Sequence, residues 1–446
     1  MNLKELDKKY IWHPFTQMKD WLSEEPLIIL KGKGNYLFDS DGNKYLDAVS
    51  SLWVTAHGHN NKRLNKAIIS QLNKIAHSTL LGLSNEPSIL LADLLVKILP
   101  QGLTKIFYSD NGSTSVEIAL KMAFQYWQHK GKKEKVAFAY LENSYHGDTI
   151  GAVSVGGIEL FHSIFKPLLF NGFKIPSPYC YRCRFNKDIQ NCKKECLAEV
   201  RSILAENKDR ICALIMEPLV QGAAGMITHF EGFLSELAKI CKELDILLIL
   251  DEVATGFGRT GKMFSCNWED VSPDFICLSK TLTGGYLPLA VTATTENVFN
   301  TFLGEFKDFK TFFHGHTYTG NPLACAVAIE NLKLFSEKKL INKIEKNSKY
   351  LSKKLDMFRA HKYVGEVRQK GYMVGIEIVK NRETKEMFPV EDKICYKISI
   401  NSRKYGVITR PLGNVLIMMP PLSISMSEID IMCEGIYKSL VDILGA

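Results

Sequence analysis

The chain has 446 residues, 46% of them hydrophobic and 23% charged, with a formal charge of +8 at pH 7. Such a length exceeds one compact core and predicts two packed units with room for an internal site, while the ordinary composition argues against disorder. Lysines from Lys4 to Lys438 interleave with acids, which argues against a nucleic-acid-binding stripe.

The opening residues MNLKELDKKY lack the apolar core of a signal peptide, and runs such as ILLIL at 246–250 are too short to span a bilayer, so a cytoplasmic enzyme without membrane contact is expected. LIILKGKGNYLFDSDGNKYLDAVSSLW breaks short β-prone runs with Lys-Gly and Asp-Gly turns and predicts a small antiparallel sheet, read as a flap. From about residue 62, buried strands alternate with helices: KIFYS, KVAFAYL, ICALIME, ILLILD, DFICLS and LAVTATT. That pattern predicts an α/β unit with a mainly parallel sheet between helices. In SVEIALKMAFQYW the residues Val116, Ala119, Leu120, Ala123, Tyr126 and Trp127 recur at helical spacing. After about 328 come one long amphipathic helix, NLKLFSEKKLINKIEKNSKYLSKKLDMF, and strands around YVGEVRQKGYMVGIEIV and VLIMMPP. The division expected is a segment 1–61 belonging to a small domain, a large α/β domain 62–327, and the α+β remainder of the small domain at 328–446.

In open α/β sheets ligands bind beyond the carboxyl ends of the strands. After KIFYS, Gly112 and Ser113 open a helix whose bare amides suit phosphate, with a plain N-cap by Ser113 or Thr114 as the alternative. After KVAFAYL, Tyr145, His146 and Asp148 crowd a turn, where an aromatic ring suits a flat heterocycle. After ILLIL, Asp251 needs a metal or a cation to offset its burial, and a protonated ring nitrogen serves. GFGRTG fits GxGxxG, but no amphipathic helix follows, which excludes a dinucleotide loop; Arg259 within it either anchors a carboxylate or organises the site. Lys280 follows the apolar run DFICLS, where poor solvation lowers an amine's pKa and frees it to attack a carbonyl. An amine, an acid, a ring cover and an anion cradle at successive strand ends are what pyridoxal phosphate requires. Cys180, Cys183, Cys192 and Cys196 cluster in YCYRCRFNKDIQNCKKEC, where zinc, a disulfide or reduced thiols remain open; no metal is assigned to the catalytic site.

The stretches LILDEVATGFGRTGKMF, LSKTLTGGYLPLA and FFHGHTYTGNPLACA resemble class III pyridoxal phosphate aminotransferases of fold type I. IWHPFTQM, LDAVSSLWVTAHGHN, ENSYHGDTIGAVSVGG, EPLVQGAAGM and TRPLGNVLIMMPP are similar to the biotin-pathway branch of that family. The resemblance implies pyridoxal 5′-phosphate as cofactor, 8-amino-7-oxononanoate as amino acceptor, and a homodimer sharing its sites across the interface. By the same resemblance Lys280 holds the cofactor and Asp251 faces its ring nitrogen. Tyr145 covers the ring, Gly112 and Ser113 hold the phosphate, and His316 and Thr317 complete the cofactor site, Thr317 from the partner. Phe15, Trp53, Gly315 and Arg410 fall at substrate positions, Arg410 pairing with a carboxylate. The chain departs from the best-known branch at Phe15, Leu52 and His316, where that branch has tyrosine, tryptophan and proline, so the expected donor is S-adenosylmethionine or lysine.

Overall fold

A computed structural model describes residues 2–187 and 191–446. Its centre is a seven-stranded sheet: β1 (Leu103–Ser109), β2 (Ala137–Leu141), β3 (Phe173–Ile175), β4 (Ile211–Met216), β5 (Leu247–Asp251), β6 (Phe275–Leu278) and β7 (Ala290–Thr295). The strands lie in the order β1-β7-β6-β5-β4-β2-β3. β7 alone runs against its neighbours; the rest are parallel, so their carboxyl ends share one edge. Six of these strands are legible as apolar runs. β3 is not, because three residues at the sheet margin carry too short a pattern.

Alternation along the strands separates two cores. Leu247, Ile249, Phe275 and Cys277 face the helix Gly112–His129 (α1) through Val116, Ala119, Leu120, Ala123 and Trp127. Leu248, Leu250, Ile276 and Leu278 face the opposite way, into a larger core that continues into the C-terminal elements. α1 begins on Asn111, whose side chain accepts the Thr114 amide (3.1 Å) while the Thr114 hydroxyl accepts the Asn111 amide (3.1 Å). The N-cap is therefore Asn111 rather than Ser113 or Thr114; Thr114 closes the capping box, and Ser113 takes no part in it.

The long helix expected after residue 328 is two: Pro322–Glu337 (α2) and Leu340–Lys354 (α3). Lys339 between them has φ 46°, a left-handed residue no continuous helix tolerates. α2 also runs through the position where 62–327 was set off from 328–446. Beyond α3, strands Val364–Lys370, Met373–Ile378, Val415–Met418 and Arg410–Leu412 form an antiparallel sheet, and the chain ends in the helix Met426–Leu444. The N-terminal strands Ile29–Lys33, Tyr36–Asp39 and Lys44–Asp47 pair antiparallel as expected. They are no flap, however: Tyr45, Leu46 and Asp47 are buried, and Val407–Ile408 joins that sheet in parallel.

Candidate active site

The shared carboxyl edge opens into a cavity of about 530 Å³, the size of a small-molecule site. Of the residues expected there, Phe15, Trp53, Gly112, Ser113, Tyr145, Asp251, Lys280 and Arg410 all line it. They come from widely separated parts of the chain, and all but Phe15, which precedes the first strand, end or follow a strand of the central sheet or of the N-terminal one.

Lys280 opens the 3₁₀ turn Lys280–Thr283 directly after β6, with φ 45°. A non-glycine residue in that region is strained, and such strain collects at functional sites. Burial pushes the Lys280 ammonium below the ordinary lysine range, opposed in part by the carboxylates of Asp251 and Glu217. Its Nζ stands 4.8 Å from the centre of the Trp53 indole. Trp53 is held by a second strained stretch, in which Ser50, Ser51 and Trp53 all have positive φ. The buried Asp47 carboxylate fixes that turn by accepting the Ser51 amide (3.0 and 2.8 Å) and lying 2.9 Å from His59 Nε2.

Asp251 ends β5. One oxygen accepts the Val253 amide (3.0 Å) and the other meets His146 Nδ1 at 2.8 Å. His146 is a functional contact that the sequence reading places in the turn without giving it a task. Tyr145, beside it, donates its hydroxyl to Asp148 (2.7 Å), and burial together with Asp148 pushes the phenol well up. Its amide donates to Glu217, the residue after β4. Glu217 is also missed, although the strand-end rule that singles out Asp251 and Lys280 applies to it equally.

At the other end, Thr114 is capped and the Ser115 amide bonds to Asn111 O, so the Gly112 and Ser113 amides are the open pair at the start of α1. A side chain at position 112 would come within 2.6 Å of Val253 Cγ1, so only glycine lets the backbone approach there. Arg410 is half-buried on the cavity wall, and among the described residues no carboxylate pairs with it. Arg259, by contrast, is fully buried and donates to Pro420 O (2.6 Å) and Thr55 O (3.1 Å). These bonds organise the backbone around the site.

Gly315, His316 and Thr317 are not brought into this cavity by their own chain. Gly315 and Thr317 are exposed, and His316 Nδ1 lies 2.8 Å from Asp110 Oδ2, just ahead of the α1 cradle. The four clustered cysteines are free, and among the described residues no group of three or more His, Cys, Asp or Glu side chains is arranged to hold a metal.

The sequence matches the family Aminotransferase class-III over residues 18–440. The chain belongs to the class III aminotransferases. It is 49% identical to the adenosylmethionine-8-amino-7-oxononanoate aminotransferase of Geobacter sulfurreducens over 99% of this chain and 98% of that one. The crystal structure of the same-named enzyme from Methanocaldococcus jannaschii superposes with a TM-score of 0.95 at 48% identity, covering 99% of both chains. An omega transaminase of Pseudomonas jessenii, solved in complex with PMP, superposes equally well (TM-score 0.95) at 32% identity over 99% of this chain and 98% of that one.

Class III aminotransferases use pyridoxal 5′-phosphate. The cavity fits it: the open amides at Gly112 and Ser113 suit a phosphate, and the buried Asp251–His146 pair suits a ring nitrogen. Tyr145 flanks the slot, and Lys280 supplies the amine.

Proposed function

We propose that this aminotransferase moves an amino group onto 8-amino-7-oxononanoate, giving 7,8-diaminononanoate for biotin synthesis. The observation that carries this reading is full-length identity near one half to enzymes named for that acceptor, with the cavity walls intact. When bound, pyridoxal 5′-phosphate supplies an aldehyde that takes the donor's amine and a ring that accepts electrons from the neighbouring carbon.

The chain does the rest. Asp251, oriented by His146, would hold a proton on the cofactor's ring nitrogen. Lys280 Nζ, whose charged form burial disfavours, would take a proton from the amine-bearing carbon and return it to the carbon on the far side of the nitrogen. Arg410 offers an unpaired guanidinium for a substrate carboxylate. The apolar surfaces of Phe15, Leu52 and Phe161 border the same cavity and exclude water from the chain of the acceptor.

Two donors fit, S-adenosylmethionine and L-lysine. Phe15 and Leu52 present neither a phenol nor an indole to a nucleoside, which favours testing lysine alongside the sulfonium donor. A single-turnover assay with each donor in turn, followed by addition of 8-amino-7-oxononanoate, decides both points. Loss and recovery of the cofactor's visible band supports the assignment; failure of the acceptor to restore it, with restoration by a 2-keto acid instead, overturns it.

The working unit is a homodimer in the cytoplasm. The segment 311–320 leaves Phe313, Gly315 and Thr317 exposed and, through Gly320 and the partly exposed Tyr318, rests on the loop of His77 and Leu80, next to exposed Leu81 and Leu83. A second copy covers this apolar surface and receives Thr317 at its phosphate cradle. Among the described residues no helix is long and apolar enough to cross a membrane.

A further inference from the structure

Glu217 reaches two walls of the cavity at once. Oε1 accepts the Tyr145 amide (3.0 Å), on the loop after β2, and Oε2 accepts the Gly222 amide (2.8 Å), on the loop after its own strand. Gly222 is where the edge of the Trp53 indole rests: a methyl group at that position would stand 3.2 Å from Trp53 Cζ3. The face of the same indole lies against Lys280 Nζ. One buried carboxylate therefore joins the tyrosine on one side of the slot to the tryptophan beside the reactive lysine.

Its charge acts on the same groups. Asp251 and His146 lie within electrostatic reach of Glu217, and Glu217 with Asp251 supports the Lys280 cation against burial. Burial and the charge of Asp251 push the Glu217 carboxyl up to about 7, against the two amides and His146, which favour ionisation.

We propose that Glu217 is a positioning residue for transamination: by gripping the Tyr145 and Gly222 amides together it sets the spacing between the tyrosine and tryptophan walls, and its carboxylate balances the cation at Lys280. This role rests on the cofactor reading of the cavity, and holoenzyme tests it. Glu217→Gln keeps the size, removes the charge and sets its NH2 donor against one of the two amides. Glu217→Asp keeps the charge and withdraws it by one carbon, too short to span both amides.

Two quantities are read: the midpoint of the pH titration of the bound cofactor's visible absorbance and, near pH 8, the single-turnover rate with whichever donor the wild type accepts. Glu217→Gln lowers the midpoint by about one pH unit, because a neutral amide no longer supports positive charge on the lysine nitrogen. Glu217→Asp holds the midpoint but loses rate by about 10²-fold, the cost of displaced reacting groups. A wild-type midpoint in the glutamine variant, or a wild-type rate in the aspartate variant, overturns the role. Should the glutamine variant not fold, the aspartate rate decides alone. A wild-type protein with no visible cofactor band would instead sink the cofactor reading itself, so the two failures are distinguishable.

Discussion

Lys280 and Trp53 both stand in backbone conformations that L residues rarely adopt, and they face each other. Holding both costs the fold a few kcal/mol, about 1–3 for each such residue, which the surrounding packing must over-determine. Single positions in the cavity should therefore respond sharply. Asp251→Asn retains the Val253 contact but loses the charge that His146 and the ring nitrogen meet. It should lower cofactor affinity by at least about tenfold, measured by equilibrium dialysis, with the fold preserved by circular dichroism. Gly112→Ala drives a methyl group into Val253 and should weaken cofactor binding likewise; unchanged affinity would move the phosphate site elsewhere. The residues that end apolar strands, Asp251 and Lys280, are legible in the sequence because a charge after a buried run needs a reason. His146 is less so, since its task is set by Asp251 far along the chain, whereas Glu217 follows an apolar strand and falls under the same rule. His316 meets Asp110, a residue that lines the cavity, on its own chain.

At the scale of elements, the turn Ser50–Trp53 depends on a carboxylate outside it. Asp47 is fully buried and receives both the Ser51 amide and His59. Removing it leaves donors unpaired in the interior, so Asp47→Ala should cost about 3 kcal/mol in urea unfolding and also release Trp53 from Lys280. A stability loss without any change in donor turnover would detach this turn from the chemistry. Asn111→Ala removes only the reciprocal cap of α1 and should cost about 1 kcal/mol, with a weaker phosphate cradle as the accompanying effect. α1 and six central strands are legible because periodicity marks them; the break at Lys339 is not. Its amphipathic pattern continues across Glu337–Leu340, and only the backbone geometry shows that the helix stops.

For the whole molecule, pH dependence comes from buried histidines. Burial with no polar partner pulls His229 down to about 3, and burial pulls His57 down to about 4. Free histidine titrates near 6.5, so below that pH the unfolded chain binds protons that the folded chain refuses. The stability they confer is complete above about pH 6.5 and is lost as the pH falls toward their folded values. Melting temperature should fall steeply on acidification through that window, and His229→Leu should flatten the slope; an unchanged slope would assign acid sensitivity to other groups. Assembly is tested by sedimentation, where a homodimer has twice the 50.4 kDa of the chain. A monomer would leave Thr317 without a site to complete. The most direct measurement concerns the bond on which the activity depends. Borohydride reduction of the cofactor-loaded protein, followed by peptide mass analysis, should place a pyridoxyl group on the peptide containing Lys280 and on no other. An adduct on a different lysine, or none at all, would contradict the account.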